Sequence, residues 1–308
     1  MFEISARTAA SRALKCIIAM DICTIGIIKD VRSVSNGTDE NKKKRRQDLI
    51  SMARTGRYQF SFVMAIVEKA TDLEHPMTLK EMIARFQKDY QSLSAYLSPG
   101  NMCESQSQLK SLIKIIMDEN FSIKERAELN IEQYLDFLVF YNGLGIKKDP
   151  EPASERLILA KKITDYGEEL GISRGHPVIA ICVASIYGCE GARRILKVEG
   201  KGGFNASNAL GDIMSFYRIA KARHMLIKNV PGIRIEFRTE DRGLESMHEF
   251  YSATVVDAID DTSLLSVFDL NDKKMFPRLT SKANGINKKE RDELYEMLDF
   301  RKPQKASA

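Results

Sequence analysis

The sequence is poor in the residues that build nitrogen- and sulfur-ligated metal centres. Four histidines and five cysteines (Cys16, Cys23, Cys103, Cys182, Cys189) occur in 308 residues, with no C-x-x-C pair and no His-rich spacing. That argues against a structural zinc site. The cysteines are odd in number, and Cys16, Cys23 and Cys182 sit in apolar runs, which suits small hydrophobes in a reducing compartment. Long apolar runs are missing too. No stretch reaches the ~18 uninterrupted apolar residues of a membrane-spanning helix, and no signal-peptide core with a cleavage site is visible. The expectation is a cytoplasmic protein without membrane association. No internal repeat is visible, and Gly200-Lys-Gly-Gly203 lacks the G-x-x-x-x-G-K-[ST] spacing of a phosphate loop. The hydroxyl and thiol residues lack a convincing histidine partner, which argues against a serine or cysteine nucleophile.

What is present describes a globular chain, with 44% hydrophobic and 29% charged residues. Its length allows one large domain or two ordinary ones. A net charge of +5, from 47 basic and 42 acidic residues, permits nucleic-acid binding without demanding it, because clustering matters more than the total.

Short apolar runs at 14–20, 58–62 and 233–239 have strand length, and the first is rich enough in isoleucine for a buried parallel strand. Helices are expected from 41 to 53, closed by Gly56, and over 78–96, 105–118, 122–141 and 153–170, the last closed by Gly171. Apolar residues recur at threes and fours in this region: Leu79, Met82, Ile83, Phe86, then Leu109, Leu112, Ile113, Ile116. Ser122-Ile-Lys-Glu125 has the form of a capping box. The chain thus reads as α/β at 1–76 and 173–270, with an all-helical insertion at 77–172 and a C-terminal helix and tail at 271–308.

Four acids mark ends of these elements. Asp21 closes the first strand, Glu68 lies on an apolar stretch, Asp212 begins a helix after Asn208-Ala-Leu-Gly211, and Asp241 ends the run from Ile233 to Thr239. Carboxylates at strand ends are what an α/β protein needs to gather hard divalent cations at one sheet edge. Each acid also has an ordinary role open to it. Asp21 is placed as an N-cap, Glu68 as a solvated helix residue, Asp212 as a partner for a helix's positive end, and Asp241 as a turn residue.

The order of these elements resembles the PIN-domain nucleases. Tyr58 to Glu68 is similar to the second motif of that family, Asn208-Ala-Leu-Gly-Asp212 to the third, and the strand running into Thr239-Glu-Asp241 to the fourth. The resemblance implies a PIN-like central parallel sheet flanked by helices, with Asp21, Glu68, Asp212 and Asp241 binding Mg²⁺ or Mn²⁺ at its C-terminal edge. Asp21 and Asp212 would be direct ligands, and Glu68 and Asp241 direct or water-mediated ones. Thr239 and Asn208 would support them. The activity implied is phosphodiester hydrolysis, in RNA before DNA. The rival expectation is a catalytically silent PIN-like scaffold whose 77–172 helices bind a regulatory protein, a second copy or nucleic acid.

Two basic groups are candidates for nucleic-acid contact. Arg193, Arg194, Lys197 and Lys201 flank the Gly200–Gly203 loop, and Lys42 to Arg46 form a run at the start of a helix. A charge run is equally a solvated face. His176-Pro177 opens an apolar helix and reads as structural. Asp165, Glu168 and Glu169 share one helix face and read as solvated surface.

Overall fold

The isoleucine-rich run at the start of the chain becomes the middle strand of a parallel sheet. In the computed structural model, residues 16–30, 34, 36–118, 130–197, 203–230, 232–258, 264–281 and 285–300 are described. The elements run β1 (Cys16–Met20), α1 (Ile22–Lys29), α2 (Glu40–Arg54), β2 (Tyr58–Ser61), α3 (Val63–Ala70), α4 (Leu79–Leu97) and α5 (Gln106–Ile116). They continue as α6 (Ile131–Gly143), α7 (Ala153–Glu169), α8 (Pro177–Ile186), α9 (Glu190–Ile195), α10 (Ala206–Asn229), β3 (Arg234–Arg238) and α11 (Arg242–His248). Last come β4 (Tyr251–Ala258), β5 (Leu264–Leu270), α12 (Asp272–Met275), β6 (Thr280–Ser281), β7 (Gly285–Ile286) and α13 (Lys288–Met297).

The chain forms two compact units. The first comprises Met1–Ala127 and Arg218–Glu240, and the second Glu128–Tyr217 and Asp241–Ala308. Helix α10 is shared: its residues up to Tyr217 belong to the second unit and those from Arg218 to the first.

In the first unit β1 pairs in parallel with both β2 and β3, giving the order β2-β1-β3. Ile18 lies opposite Phe60 on one side and Glu236 on the other. Successive strand residues face opposite ways, so β1 serves two cores. Ile18 and Met20 pack with Phe60, Phe62, Met82, Phe86, Leu109 and Ile113. Ile17 and Ala19 pack with Met64, Ile219 and Ile235. Burial on both faces explains why the run is almost purely apolar.

The helices begin and end where their local chemistry dictates. Thr78 with Glu81 and Ser105 with Gln108 form capping boxes at the starts of α4 and α5. Gly56 and Gly171 take left-handed φ values of 67° and 74°, ending α2 and α7 as expected. Of the helices expected between 77 and 172, α4 and α5 belong to the first unit, and α6 and α7 to the second. The Ser122–Glu125 capping box lies outside the described residues.

The second unit is built around α8, whose residues are buried on every side. It packs on α7 and α9, and α13 packs on α7. Helices α9 and α11 approach closely at two glycines. A Cβ on Gly191 would lie 2.8 Å from Met247 Cγ, and one on Gly243 would lie 2.7 Å from Arg194 Cβ. Strands β4 and β5 pair antiparallel, as do β6 and β7. Among the described residues no helix is long and apolar enough to cross a membrane.

A candidate carboxylate site at the end of β1

Asp21 leaves β1 in an extended conformation and caps α1, its Oδ1 accepting the Thr24 N–H at 2.7 Å. The expected N-cap role is therefore present. The helix start is also tied to the neighbouring strand. Asp21 N–H and Thr24 Oγ1 both donate to the Arg238 carbonyl, at 3.2 and 2.9 Å. Only 7% of Asp21 is exposed.

Glu68, near the end of α3, reaches the same helix terminus. Its Oε2 accepts the Ile22 N–H at 3.1 Å. Two carboxylates thus share the first-turn donors of α1, where the helix dipole favours negative charge. Burial, and then the charge of Asp21, push the Glu68 carboxyl up to about 7. The Ile22 N–H, Arg218 and Lys69 pull the other way without cancelling this. Arg218 comes from α10 and also donates to Thr71 Oγ1 at 3.1 Å, just past the end of α3.

Two further acids at this sheet edge were missed in the sequence. Glu240 follows β3 with its side chain 6% exposed, paired with Arg45 at 3.0 Å and Arg238 at 3.4 Å. Burial raises its carboxyl above the usual range, and the charge of Asp21 adds to that rise. Glu240 precedes Asp241, the acid of the T-x-D motif, in the sequence. Glu104 lies past the end of β2, accepting from Ser61 Oγ at 2.5 Å and Phe62 N–H at 3.1 Å, and burial raises it too. It supplies the start of α3 with the acceptor that Phe62 lacks. No local pattern marks Glu104, because its partners lie more than forty positions away.

The four sequence candidates divide evenly between the units. Asp21 and Glu68 belong to the first, and Asp212 and Asp241 to the second. Asp241 caps α11 through the Leu244 N–H at 2.9 Å. Asp212 lies in the second turn of α10, since that helix begins at Ala206, and Asn208 Nδ2 stands 3.5 Å from its Oδ2. Thr239 is buried directly after β3. Among the described residues, no group of three or more His, Cys, Asp or Glu side chains is arranged to hold a metal ion.

The other candidates lie in the second unit. Arg193 donates to the Lys147 carbonyl, and Arg194 pairs with Glu190 at 3.4 Å. Lys197 stands just past α9 with φ 49°, and Lys201 lies outside the described residues. His176 caps α8 through Nδ1, which accepts the Val178 N–H at 3.1 Å, and burial pushes its pKa down to about 3. That is the structural role. Asp165 and Glu168 pair with Lys161 and Arg174 at the surface.

One hydroxyl does have a histidine partner. Ser215 Oγ lies 2.9 Å from His248 Nε2, a pairing hidden in the sequence by 33 intervening positions. Ser215 is only 3% exposed, and the imidazole stacks on Phe216. A buried hydroxyl of this kind is not positioned for attack on a substrate.

Compared with protein-family models, characterised proteins and solved structures, the chain matches none. The class of protein rests on its own architecture: an α/β chain with a three-stranded parallel sheet and many helices.

Proposed function

We propose that the chain is a divalent-metal-dependent phosphodiester hydrolase of PIN-like type, cutting RNA in preference to DNA. One observation carries this reading: Asp21 and Glu68 meet at the start of α1, with Glu68 raised to about 7. Two carboxylates held so that one tends to keep a proton at neutral pH form an all-oxygen donor pair. That pair suits a hard cation, because Mg²⁺ or Mn²⁺ can replace the proton and remove the repulsion. Strongly shifted groups of this kind concentrate at functional sites.

In this reading Asp21 and Glu68 hold the cation. When bound, it supplies an activated water and neutralises charge on the scissile phosphate and leaving oxygen. Glu68 would give up its carboxyl proton on holding the cation, and the α1 N–H groups of Ile22 and Thr24 fix both carboxylates. Arg218, whose charge reaches Glu68, favours an anionic substrate nearby. Asp212 and Asp241 enter the reading through the order of the motifs alone, with Asn208 and Thr239 as their supports. Substitution of each acid by Asn tests that extension.

The experiment is cleavage of end-labelled single-stranded RNA and DNA in Mn²⁺, Mg²⁺ or EDTA. Metal-dependent cutting that disappears in both Asp21→Asn and Glu68→Gln supports the reading. Cutting that survives both overturns it. Absence of cutting by every form favours the silent scaffold. The exposed Ile115, Val139 and Ile158 on the 77–172 helices do not by themselves favour that alternative, since scattered apolar side chains are ordinary on surfaces.

A further inference from the structure

The basic run on α2 has a specific setting in the first unit. Asp39 caps the helix, accepting the N–H groups of Asn41 and Lys42 at 3.0 and 3.1 Å. Lys42, Arg45 and Arg46 are spaced at threes and fours and so share one helix face. Arg45 reaches the carboxylate of Glu240 at the end of β3, and the charge of Asp21 is felt at that carboxylate. The run therefore lies beside the sheet edge on which Asp21 sits.

Arg46 makes a second kind of contact. Its guanidinium lies 4.7 Å from the centroid of the Tyr96 ring, on α4. Tyr96 is nevertheless 39% exposed, so much of this aromatic surface remains open beside a fixed cation. Lys42, one turn before Arg46 on the same face, is exposed, and among the described residues no ion pair engages its ammonium. The neighbours Lys43 and Arg45 are by contrast paired with Glu40 and Glu240. An open ammonium one helical turn from an arginine that stacks on an exposed aromatic ring matches the two demands of single-stranded nucleic acid. Phosphates need mobile cations, and an unstacked base needs a flat apolar face.

We propose that this strip of the first unit, Lys42 and Arg46 on α2 with Tyr96 on α4, holds single-stranded nucleic acid beside the Asp21–Glu68 site. The assignment rests on the hydrolase reading for its substrate class. It moves the backbone contact away from Arg193 and Arg194, which are engaged by Lys147 and Glu190 in the second unit.

The test is fluorescence anisotropy with labelled single-stranded RNA and DNA of about 20 nucleotides, in EDTA so that metal-dependent cutting is silent. The double variant Lys42→Glu/Arg46→Glu is expected to weaken binding by about tenfold or more and to lower the salt dependence by about one unit per basic residue. Tyr96→Ala is expected to weaken binding by about tenfold with the salt dependence unchanged. Lys110→Glu, on the exposed face of α5, controls for net charge and is expected to bind as the parent does. Parent-like binding by the α2 and Tyr96 variants overturns the strip, as does loss confined to Arg193→Glu/Arg194→Glu. Failure of the parent to bind either oligonucleotide overturns it as well.

Cleavage in Mn²⁺, measured in parallel, keeps this inference separate from the hydrolase reading. Parent-like binding by the α2 variants alongside Asp21-dependent cutting removes the strip alone. Binding lost in those variants, with no cutting by any form, removes the hydrolase and keeps the strip.

Discussion

The Glu68 carboxylate accepts the backbone N–H of Ile22 at 3.1 Å, so a side chain 46 positions later shares the helix end that Asp21 caps. This contact makes α1 a meeting point of two acids, although a helix needs only one such cap.

A pH dependence follows from it. The Glu68 carboxyl titrates near 7 in the folded chain and near its ordinary value when unfolded. Between those values the folded state binds more protons, so stability falls as pH rises. Below the unfolded value the cost of the buried charge is absent, and above about 7 it is complete. In EDTA, Glu68→Gln keeps an acceptor for Ile22 and removes the charge. It is expected to raise stability by ~2 kcal/mol at about pH 8 and to change little at about pH 4. Urea denaturation at both pH values checks this.

His176 carries the opposite sign. Burial holds it neutral, with its pKa pushed down to about 3 in the folded chain. Between that value and the ordinary one the unfolded state binds more protons, so stability rises with pH there. His176→Asn replaces the Nδ1 acceptor at the start of α8 with an amide oxygen. The expected outcome is a shallower acid-unfolding transition between about pH 6 and pH 3, followed by circular dichroism.

The contact of α9 with α11 depends on two missing side chains. Gly191→Ala places a methyl against Met247 and within 3.2 Å of the Gly243 carbonyl, and Gly243→Ala meets Arg194. Each is expected to destabilise the second unit by about 1–3 kcal/mol, measured by chemical denaturation. Gly211→Ala, where a Cβ would meet nothing within 4 Å, is the neutral or stabilising control.

Arg156 on α7 forms a buried two-point pair with Glu290 on α13, its Nε and Nη2 donating at 2.8 and 3.0 Å. Arg156→Met leaves the Glu290 charge buried without its partner and is expected to cost about 3–5 kcal/mol. Adding Glu290→Leu removes the stranded charge and is expected to restore much of the loss. A double variant no more stable than the single one would show that the pair matters through packing instead.

The sheet was legible in the sequence because parallel strands covered on both faces are written as short apolar runs, as at Ile17 to Met20. The cap at Asp21 was legible too, since that residue precedes the N–H it accepts by three positions, whereas Asp241, expected as a metal ligand or turn residue, caps a helix. Glu104 and Glu240 were not legible. Their surroundings are assembled by distant partners, Ser61 and Arg45, and neither leaves a local pattern. Ser215 with His248 was hidden for the same reason. Asp212 shows a different limit: its motif marks a helix, but the helix starts six residues earlier than the acid.

The most direct measurement is Mn²⁺ binding to the parent protein by calorimetry near neutral pH, with Asp21→Asn, Glu68→Gln and Glu104→Gln beside it. If Asp21 and Glu68 hold the cation, the parent binds Mn²⁺, the first two variants lose at least about tenfold in affinity, and Glu104→Gln binds normally. Equal binding by all four forms, or no uptake by the parent, would contradict the assignment of a metal site at the end of β1.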